Sequence, residues 1–235
     1  LEKLWPSPTE NAPKIFTLKV IFTASFLKGV RMDDFNVFPD KRIAVEAPVS
    51  KVFIDLGITS LQEACRYVHE LPYGYNSNSD DLMSLFKEKK GTCTTKHAVI
   101  GTLARELALP VHKNVGIYAM TEEIVSGTDT LLAEFQLPYI PMLHCFLAYE
   151  NFRVDLTEGN RNGKNRSIEA FLHVQQVEPN ITEKDEYLLY RKALIDVILK
   201  RSELSGVYLK HILRGREEGL KLLKANILSH PAHTK

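Results

Sequence analysis

Residues 91–107 read GTCTTKHAVIGTLAREL, and this stretch predicts the central helix of the fold. Gly91 allows a tight entry into the helix, and Pro110 stops it. Between them, apolar residues recur with helical period: Val99, Ile100, Leu103, Ala104 and Leu107. We therefore expect a helix over 93–107 with Cys93 in its first turn, where unpaired backbone N–H groups and the helix dipole favour a thiolate.

The stretch 143–157, LHCFLAYENFRVDLT, predicts a β-hairpin with a two-residue turn. In that register Leu147 faces Val154, and the largely apolar side chains share one face of the hairpin. The other face carries His144 and Asp155 as diagonal neighbours, whose Cα atoms lie roughly 7–8 Å apart. A slip of one residue would turn the apolar set to the wrong face, so the burial pattern itself predicts the pairing of His144 with Asp155.

A thiol, an imidazole and a carboxylate in this order are the groups that nucleophilic catalysis by cysteine needs. A Gly-x-Cys opening a helix, then a His at the start of a strand and an Asp on the next strand, resembles the core of the transglutaminase-like superfamily. These are cysteine enzymes of papain-like α+β fold, and the resemblance covers about residues 60–160. It implies that Cys93 is the nucleophile, that His144 is general base and then acid, and that Asp155 orients His144. It also implies an oxyanion hole formed partly by the Cys93 backbone N–H.

The fold class expected from the resemblance is α+β. Its papain-like, transglutaminase-like core would pack the catalytic helix on an antiparallel β-sheet, with helical N- and C-terminal extensions. We expect a single domain over 1–235, made of an N-terminal helical region (14–58), a catalytic core (59–175) and a C-terminal helical extension (180–230).

The remaining segments are predicted from their periodicity and their turn residues. A capping box at Ser60 and Glu63 opens a helix that ends near Leu71. Further helices are expected over 14–30, 129–135, 167–173 and 182–228, the last broken near Gly206 and Gly215. A strand is expected over 111–120, and 31–58 is expected to be irregular with short strand pieces.

Several residues differ from the pattern common in papain-like enzymes. Lys87 stands where a Gln often supplies an oxyanion donor, so that donor must come from elsewhere. Phe146 replaces a frequent Trp two residues after the histidine and is a candidate for substrate contact. His97 replaces a small residue four positions after the cysteine. We expect it to contact the site residues without contacting the substrate. Candidates for the missing oxyanion donor are the polar residues upstream of the helix: Tyr75, Asn76 and Asn78.

The cysteines and histidines also allow other roles. Cys93 and His97 share a helix face and, together with His144, could hold a metal through thiolate and imidazole. No Cys-x-x-Cys or His-Glu-x-x-His spacing supports such a site, so neither a metal nor another cofactor is expected. Cys65 and Cys145 are expected to be buried apolar fillers.

The overall composition restricts the partners. Thirty basic and twenty-nine acidic residues give a net charge of +1, so no basic field for nucleic acid is expected. The apolar stretch 20–27 is too short to span a membrane, and three cysteines do not resemble a disulfide framework. We expect a cytoplasmic protein acting on a peptide, a protein or a small amide.

The function expected is acyl transfer on amide or peptide bonds through a Cys93 thioester. With water as acceptor the enzyme is protease- or amidase-like, which is preferred because no acceptor-lysine site is evident. An amine acceptor would give transglutaminase-type transfer. A non-catalytic protein-binding module on the same fold is the competing class, since fold alone does not establish activity.

Overall fold

The computed structural model of the chain describes residues 28–29, 35–44 and 46–229. The helices are α1 (Pro48–Asp55), α2 (Leu61–Glu70), α3 (Met83–Glu88), α4 (Cys93–Glu106), α5 (Thr128–Phe135), α6 (Glu183–Asp196) and α7 (Leu209–Ser229). The strands are β1 (Lys28–Gly29), β2 (His112–Met120), β3 (Ile140–Tyr149), β4 (Phe152–Val154) and β5 (His173–Gln176). Short 3-10 helices occur at Phe35–Val37, Ile198–Lys200 and Ser202–Leu204.

The strands form one sheet in the order β1-β4-β3-β2-β5. The four strands β2 to β5 are antiparallel, and β1 adds to the edge in parallel with β4. Leu147 pairs with Val154, which confirms the predicted register of the hairpin. The protein is thus of mixed α+β class, as expected.

The sheet lies between two apolar clusters. On one side, α1, α2 and α4 pack with Leu147 and Val154 of the hairpin. On the other, α5, α6 and α7 pack with Ile140 and Met142. Because successive side chains of a strand point to opposite faces, β3 contributes to both clusters. Burial of these apolar surfaces holds α4 against the sheet. In its first turn, the Thr94 hydroxyl lies 3.8 Å from the Cys145 sulfur of β3.

The predicted helices α2 and α4 are confirmed, and their starts follow from local chemistry. The Ser60 hydroxyl accepts a hydrogen bond from the Glu63 N–H, and the Glu63 carboxylate accepts one from the Ser60 N–H. At Gly91, a Cβ atom would lie 2.7 Å from the Thr95 hydroxyl oxygen. That hydroxyl accepts a hydrogen bond from the Thr92 N–H at 3.0 Å, so glycine at 91 allows the chain to enter α4 closely.

The prediction of an irregular 31–58 was wrong for its last part, where α1 forms. Pro48 occupies the first turn of this helix, where a missing N–H costs nothing, rather than interrupting structure. The N–H groups of Val49 and Ser50 donate to the carboxylate of Glu106 at 3.1 and 2.7 Å. A distant residue therefore caps α1, a contact that local sequence does not reveal. The short helix α3 was also not predicted.

The C-terminal half differs from the prediction in two places. No helix forms at 167–173; the chain runs instead into β5, and the Leu172 N–H donates to the Ile117 carbonyl of β2. The break expected near Gly206 is present, with a φ of +82°. The break expected at Gly215 is not, because α7 runs through this residue and the absence of a side chain lets the helix approach Phe135 and Leu137.

Most of the helix predicted over 14–30 lies outside the described residues. Within that range, Lys28–Gly29 form the strand β1 instead. In the described part of the chain, no helix combines the length and the apolar character that crossing a bilayer requires.

Candidate active site

Three segments bring the predicted catalytic side chains together. Cys93 begins α4, His144 lies on β3, and Asp155 directly follows β4. The Nε2 atom of His144 lies 2.6 Å from Oδ2 of Asp155, a charge-assisted hydrogen bond. The thiol of Cys93 interacts with the side chain of the same histidine. Since Nε2 is bound to Asp155, the nitrogen available to the thiol is Nδ1.

Asp155 is fixed by its own hydrogen bonds. Its Oδ1 accepts from both the backbone N–H and the hydroxyl of Thr157, each at 2.8 Å. Its Oδ2 is left for His144. The carboxylate is therefore held in one orientation, and this orientation sets the position of the imidazole.

The charges in the site favour a thiolate–imidazolium pair. The adjacent Cys145 thiol and the charges of His144 and Lys164 hold the pKa of Cys93 well below its usual range, although burial opposes this. Burial lowers the pKa of His144, but the charge of Asp155 outweighs it and raises this pKa to about 9. Burial raises the pKa of Asp155, but the charge of His144 and its hydrogen bond outweigh burial, so this pKa lies well below its ordinary value.

His97 connects α4 to the segment that carries Asp155. The Leu156 N–H donates to its Nε2 at 2.8 Å, so Nε2 is unprotonated. Its Nδ1 then carries the proton and donates to the Cys93 carbonyl at 2.7 Å. Burial lowers the pKa of His97 to about 4, which keeps the ring neutral at neutral pH. His97 therefore supports the site, as expected, by binding two backbone groups.

Both ring nitrogens of His97 are thus occupied, which argues against the metal site considered from the sequence. A ligating histidine needs a free ring nitrogen. Over the residues that the structure describes, no group of three or more His, Cys, Asp or Glu side chains is arranged to hold a metal ion.

Replacing His97 by Ala should lower the free energy of unfolding at pH 7 by about 3 kcal/mol, because the buried Leu156 N–H loses its acceptor and a cavity remains. The folded protein holds His97 neutral down to pH about 4, whereas the unfolded chain protonates it near pH 6.5. The unfolded state thus binds more protons in this window, and the stability that His97 contributes is lost as pH falls through it. The gap between wild type and variant should shrink by about 2 kcal/mol from pH 7 to about pH 4.5.

Urea unfolding at both pH values measures this gap. His112→Ala is the matched control, because His112 is exposed on β2 and its loss should change the stability little. A gap that stays constant with pH would contradict a buried neutral His97.

Two cysteines outside the predicted triad have different surroundings. Cys65 is fully buried in the cluster around α2 and α4, and burial raises its thiol pKa. Cys145 is also buried, but it packs against Cys93 and its thiol donates to a carboxylate oxygen of Glu186 at 3.5 Å. The expected burial of Cys145 is confirmed, but its thiol also lies beside Cys93 and Glu186.

The oxyanion and substrate candidates are placed differently from one another. Tyr75 and Asn76 line the cavity over Cys93, but the Asn76 amide is already bound to the Lys90 carbonyl and the Thr95 hydroxyl. Asn78 is exposed and accepts a hydrogen bond from the Asp80 N–H, away from the thiol.

Phe146 is buried and stacks on Phe171 at 5.1 Å between ring centres. It does not line the cavity over Cys93, so the structure gives no support to its expected contact with substrate. Lys87 forms an exposed ion pair with Asp81.

Sequence reasoning missed Tyr73. Its backbone pairs with Gly91 in a parallel bridge, which places it beside the start of α4. Its hydroxyl is close enough to interact with both the backbone N–H and the thiol of Cys93. The tyrosines on either side of Gly74 were the available signal in the sequence. Only the folded segment between α2 and α3 shows which of them lies beside Cys93.

A cavity of about 460 Å³ lies over Cys93 and His144. Cys93 and His144 line it, together with Tyr73, Tyr118 and Glu186. Its size suits a small molecule or a few residues of a peptide. Cys93 is 8% exposed, so it is accessible only through this cavity.

The thiol, the imidazole and the carboxylate thus occupy one site that opens into the cavity. The arrangement can form a thiolate and transfer a proton to a leaving group. The chain matches no protein-family model, no curated protein and no solved structure.

Proposed function

We propose that the protein is a cysteine-dependent acyl-transfer enzyme that hydrolyses amide or peptide bonds through a Cys93 thioester. The observation that carries this proposal is the 2.6 Å contact between His144 Nε2 and Asp155 Oδ2 beside a cysteine at the start of a helix. A structural histidine–carboxylate pair alone would not need a thiol of lowered pKa next to it.

The proposal assigns the fold to the papain-like, transglutaminase-like type. Its support is the packing of a helix that begins at the nucleophile against an antiparallel sheet that positions the histidine and the aspartate. The groups occur along the chain in the order cysteine, histidine, aspartate, which is the order of the resemblance.

The reaction starts from the thiolate–imidazolium pair. The Cys93 sulfur attacks the amide carbonyl carbon, and the carbonyl π electrons move to its oxygen as an oxyanion. When the oxyanion collapses, the C–N bond breaks and His144 Nδ1–H protonates the leaving amine, which leaves a thioester on Cys93. His144, now neutral, removes a proton from water, which attacks the thioester. Collapse of this second intermediate releases the carboxylic acid and restores the pair.

The oxyanion would be held by two donors. One is the backbone N–H of Cys93 in the first turn of α4, where intrahelical acceptors are lacking. The other is the hydroxyl of Tyr73, which interacts with the same N–H and thiol. In this proposal Tyr73 takes the role that the sequence assigned to Tyr75, Asn76 or Asn78.

The test is the alkylation rate of each cysteine in the native protein against pH, by peptide mapping, in wild type and in His144→Ala. Cys93 should react rapidly at about pH 6, where a free thiol of pKa about 8.5 is almost wholly protonated. In His144→Ala the rate at that pH should fall about 100-fold, because the thiolate loses its counter-ion. Buried Cys65 is the internal control and should react slowly in both proteins.

A Cys93 that reacts no faster than a free thiol, with no effect of His144, would overturn the proposal and leave the non-catalytic binding module. Where Cys93 is activated, release of amine from an amide panel with and without an added fluorescent primary amine decides the acceptor. Labelled acyl amide in place of free acid would overturn hydrolysis in favour of amine transfer.

A further inference from the structure

Three positively charged side chains line the cavity over Cys93. They are Lys164, from the loop after β4, and Arg216 and Lys224, which lie eight residues apart on α7. Two parts of the chain that are distant in sequence thus bring positive charge to the same cavity.

Each of these cations lies over the face of a tyrosine ring. Lys164 Nζ is 5.9 Å from the ring centre of Tyr73, and Lys224 Nζ is 4.6 Å from that of Tyr75. The guanidinium carbon of the arginine is 4.9 Å from the ring centre of Tyr190. The aromatic faces hold these cations in place without cancelling their charge.

Within the described part of the chain, the three cations lack carboxylate partners. No carboxylate oxygen there lies within 4 Å of the charged nitrogens of Lys164, Arg216 or Lys224. On the same helix, Lys221 does pair with Glu218 at 2.7 Å. The helix therefore carries carboxylates, but they do not face the cavity.

One nitrogen of the Arg216 guanidinium also lacks a hydrogen-bond partner among the described residues. This atom, Nε, is buried. A buried donor left without an acceptor costs about 1–3 kcal/mol. An anion bound in the cavity would supply the acceptor and remove this cost.

Two carboxylates also line the cavity, and both have other partners. Glu183 accepts a hydrogen bond from the Ser79 hydroxyl at 3.3 Å. Glu186 lies between the Thr94 hydroxyl and the Cys145 thiol, and burial raises its pKa. Neither neutralises the three cations by contact, so the cavity attracts negative charge.

We propose that the cavity selects carboxylate-bearing amide substrates, such as acidic peptides, with Arg216 and Lys224 as the principal carboxylate-binding residues and Lys164 nearer the thiol. The planar guanidinium matches a carboxylate with two parallel hydrogen bonds, which ammonium groups do not offer. The amide part of this inference rests on the proposed function. The anion site rests on the three cations alone.

The first experiment compares an anionic and a neutral reagent at Cys93. Iodoacetate and iodoacetamide alkylate the same sulfur, so the ratio of their rates cancels changes in the reactivity of the thiol itself. At low ionic strength, the iodoacetate rate divided by the iodoacetamide rate should fall about 10-fold from wild type to the double variant Arg216→Gln/Lys224→Gln. In wild type it should also fall on addition of salt. Lys221→Gln, on the same helix but paired with Glu218, should keep the wild-type ratio.

The second experiment does not depend on the thiol. Titration of the wild-type protein with glutarate, followed by the NMR resonance of the Arg216 Nε–H, should give a saturable shift. Lys224→Gln should weaken the apparent affinity, and Lys221→Gln should not. A saturable shift with an unreactive Cys93 would establish the anion site while overturning the proposed function. An unchanged reagent ratio in the double variant, or no shift with millimolar glutarate, would overturn the anion site.

Discussion

Replacing Cys93 by Ala should abolish the burst of p-nitrophenolate that we expect the wild-type protein to release from an activated p-nitrophenyl ester. The burst reports formation of a thioester, one per chain, before slower hydrolysis. Without the nucleophile, the acylation rate should fall by about 10⁴-fold or more. Stopped-flow absorbance measures both the amplitude and the rate, and mass spectrometry of the quenched protein locates the acyl group.

Cys145 should not take over in this variant, although it lies against Cys93. The neighbouring Cys93 raises its pKa, and so do burial and the Glu186 carboxylate. Burial and the carboxylate remain when Cys93 is gone. Cys65→Ala is the matched control, because Cys65 is buried in the apolar cluster of α2 and α4 and should leave the burst amplitude intact. A full burst in Cys93→Ala, with the acyl group elsewhere, would exclude Cys93 as the nucleophile.

The placement of Cys93, His144 and Asp155 could be predicted from local patterns, because each depends on short-range rules. The start of α4 depends on Gly91 and on the period of the following apolar residues. The contact of His144 with Asp155 depends on a two-residue turn that fixes the register of β3 and β4. The register of a hairpin is specified by which face is buried, and the alternation of apolar and polar residues along the two strands shows that face in the sequence.

Other parts of the site depend on contacts between distant segments. Tyr73 faces Cys93 because of a single bridge to Gly91. Arg216 reaches the cavity because α7 packs on the sheet more than a hundred residues after the cysteine. Likewise, β5 is a strand because the edge of β2 offers it a partner, not because of its own period. Local propensity does not encode such choices, so the helix predicted at 167–173 failed.

Replacing Asp155 by Asn should lower the acylation rate by about 10³–10⁴-fold while the fold is kept. In the wild type, Oδ1 accepts from the N–H and hydroxyl of Thr157, and Oδ2 faces His144 Nε2. The Thr157 N–H can only donate, so the amide oxygen of the substituted side chain should take the Oδ1 position and turn its NH₂ group towards His144. Nε2 must then accept, and the single proton of the neutral ring moves to Nδ1, the nitrogen that has to receive the thiol proton.

The same substitution removes the charge that raises the pKa of His144, so that pKa should fall from about 9 and the thiolate should lose its imidazolium partner. The alkylation rate of Cys93 at about pH 6 should drop about 100-fold as its pKa returns towards that of an ordinary thiol. ¹⁵N chemical shifts of His144 distinguish this from mere unfolding, because they show which ring nitrogen carries the proton. Asp55→Asn, at an exposed carboxylate paired with Lys51, is the control that should change neither rate. If Asp155→Asn kept the acylation rate within a few-fold, the charge of the carboxylate would not be needed, and the thiolate would have to depend on Lys164 and the helix terminus alone.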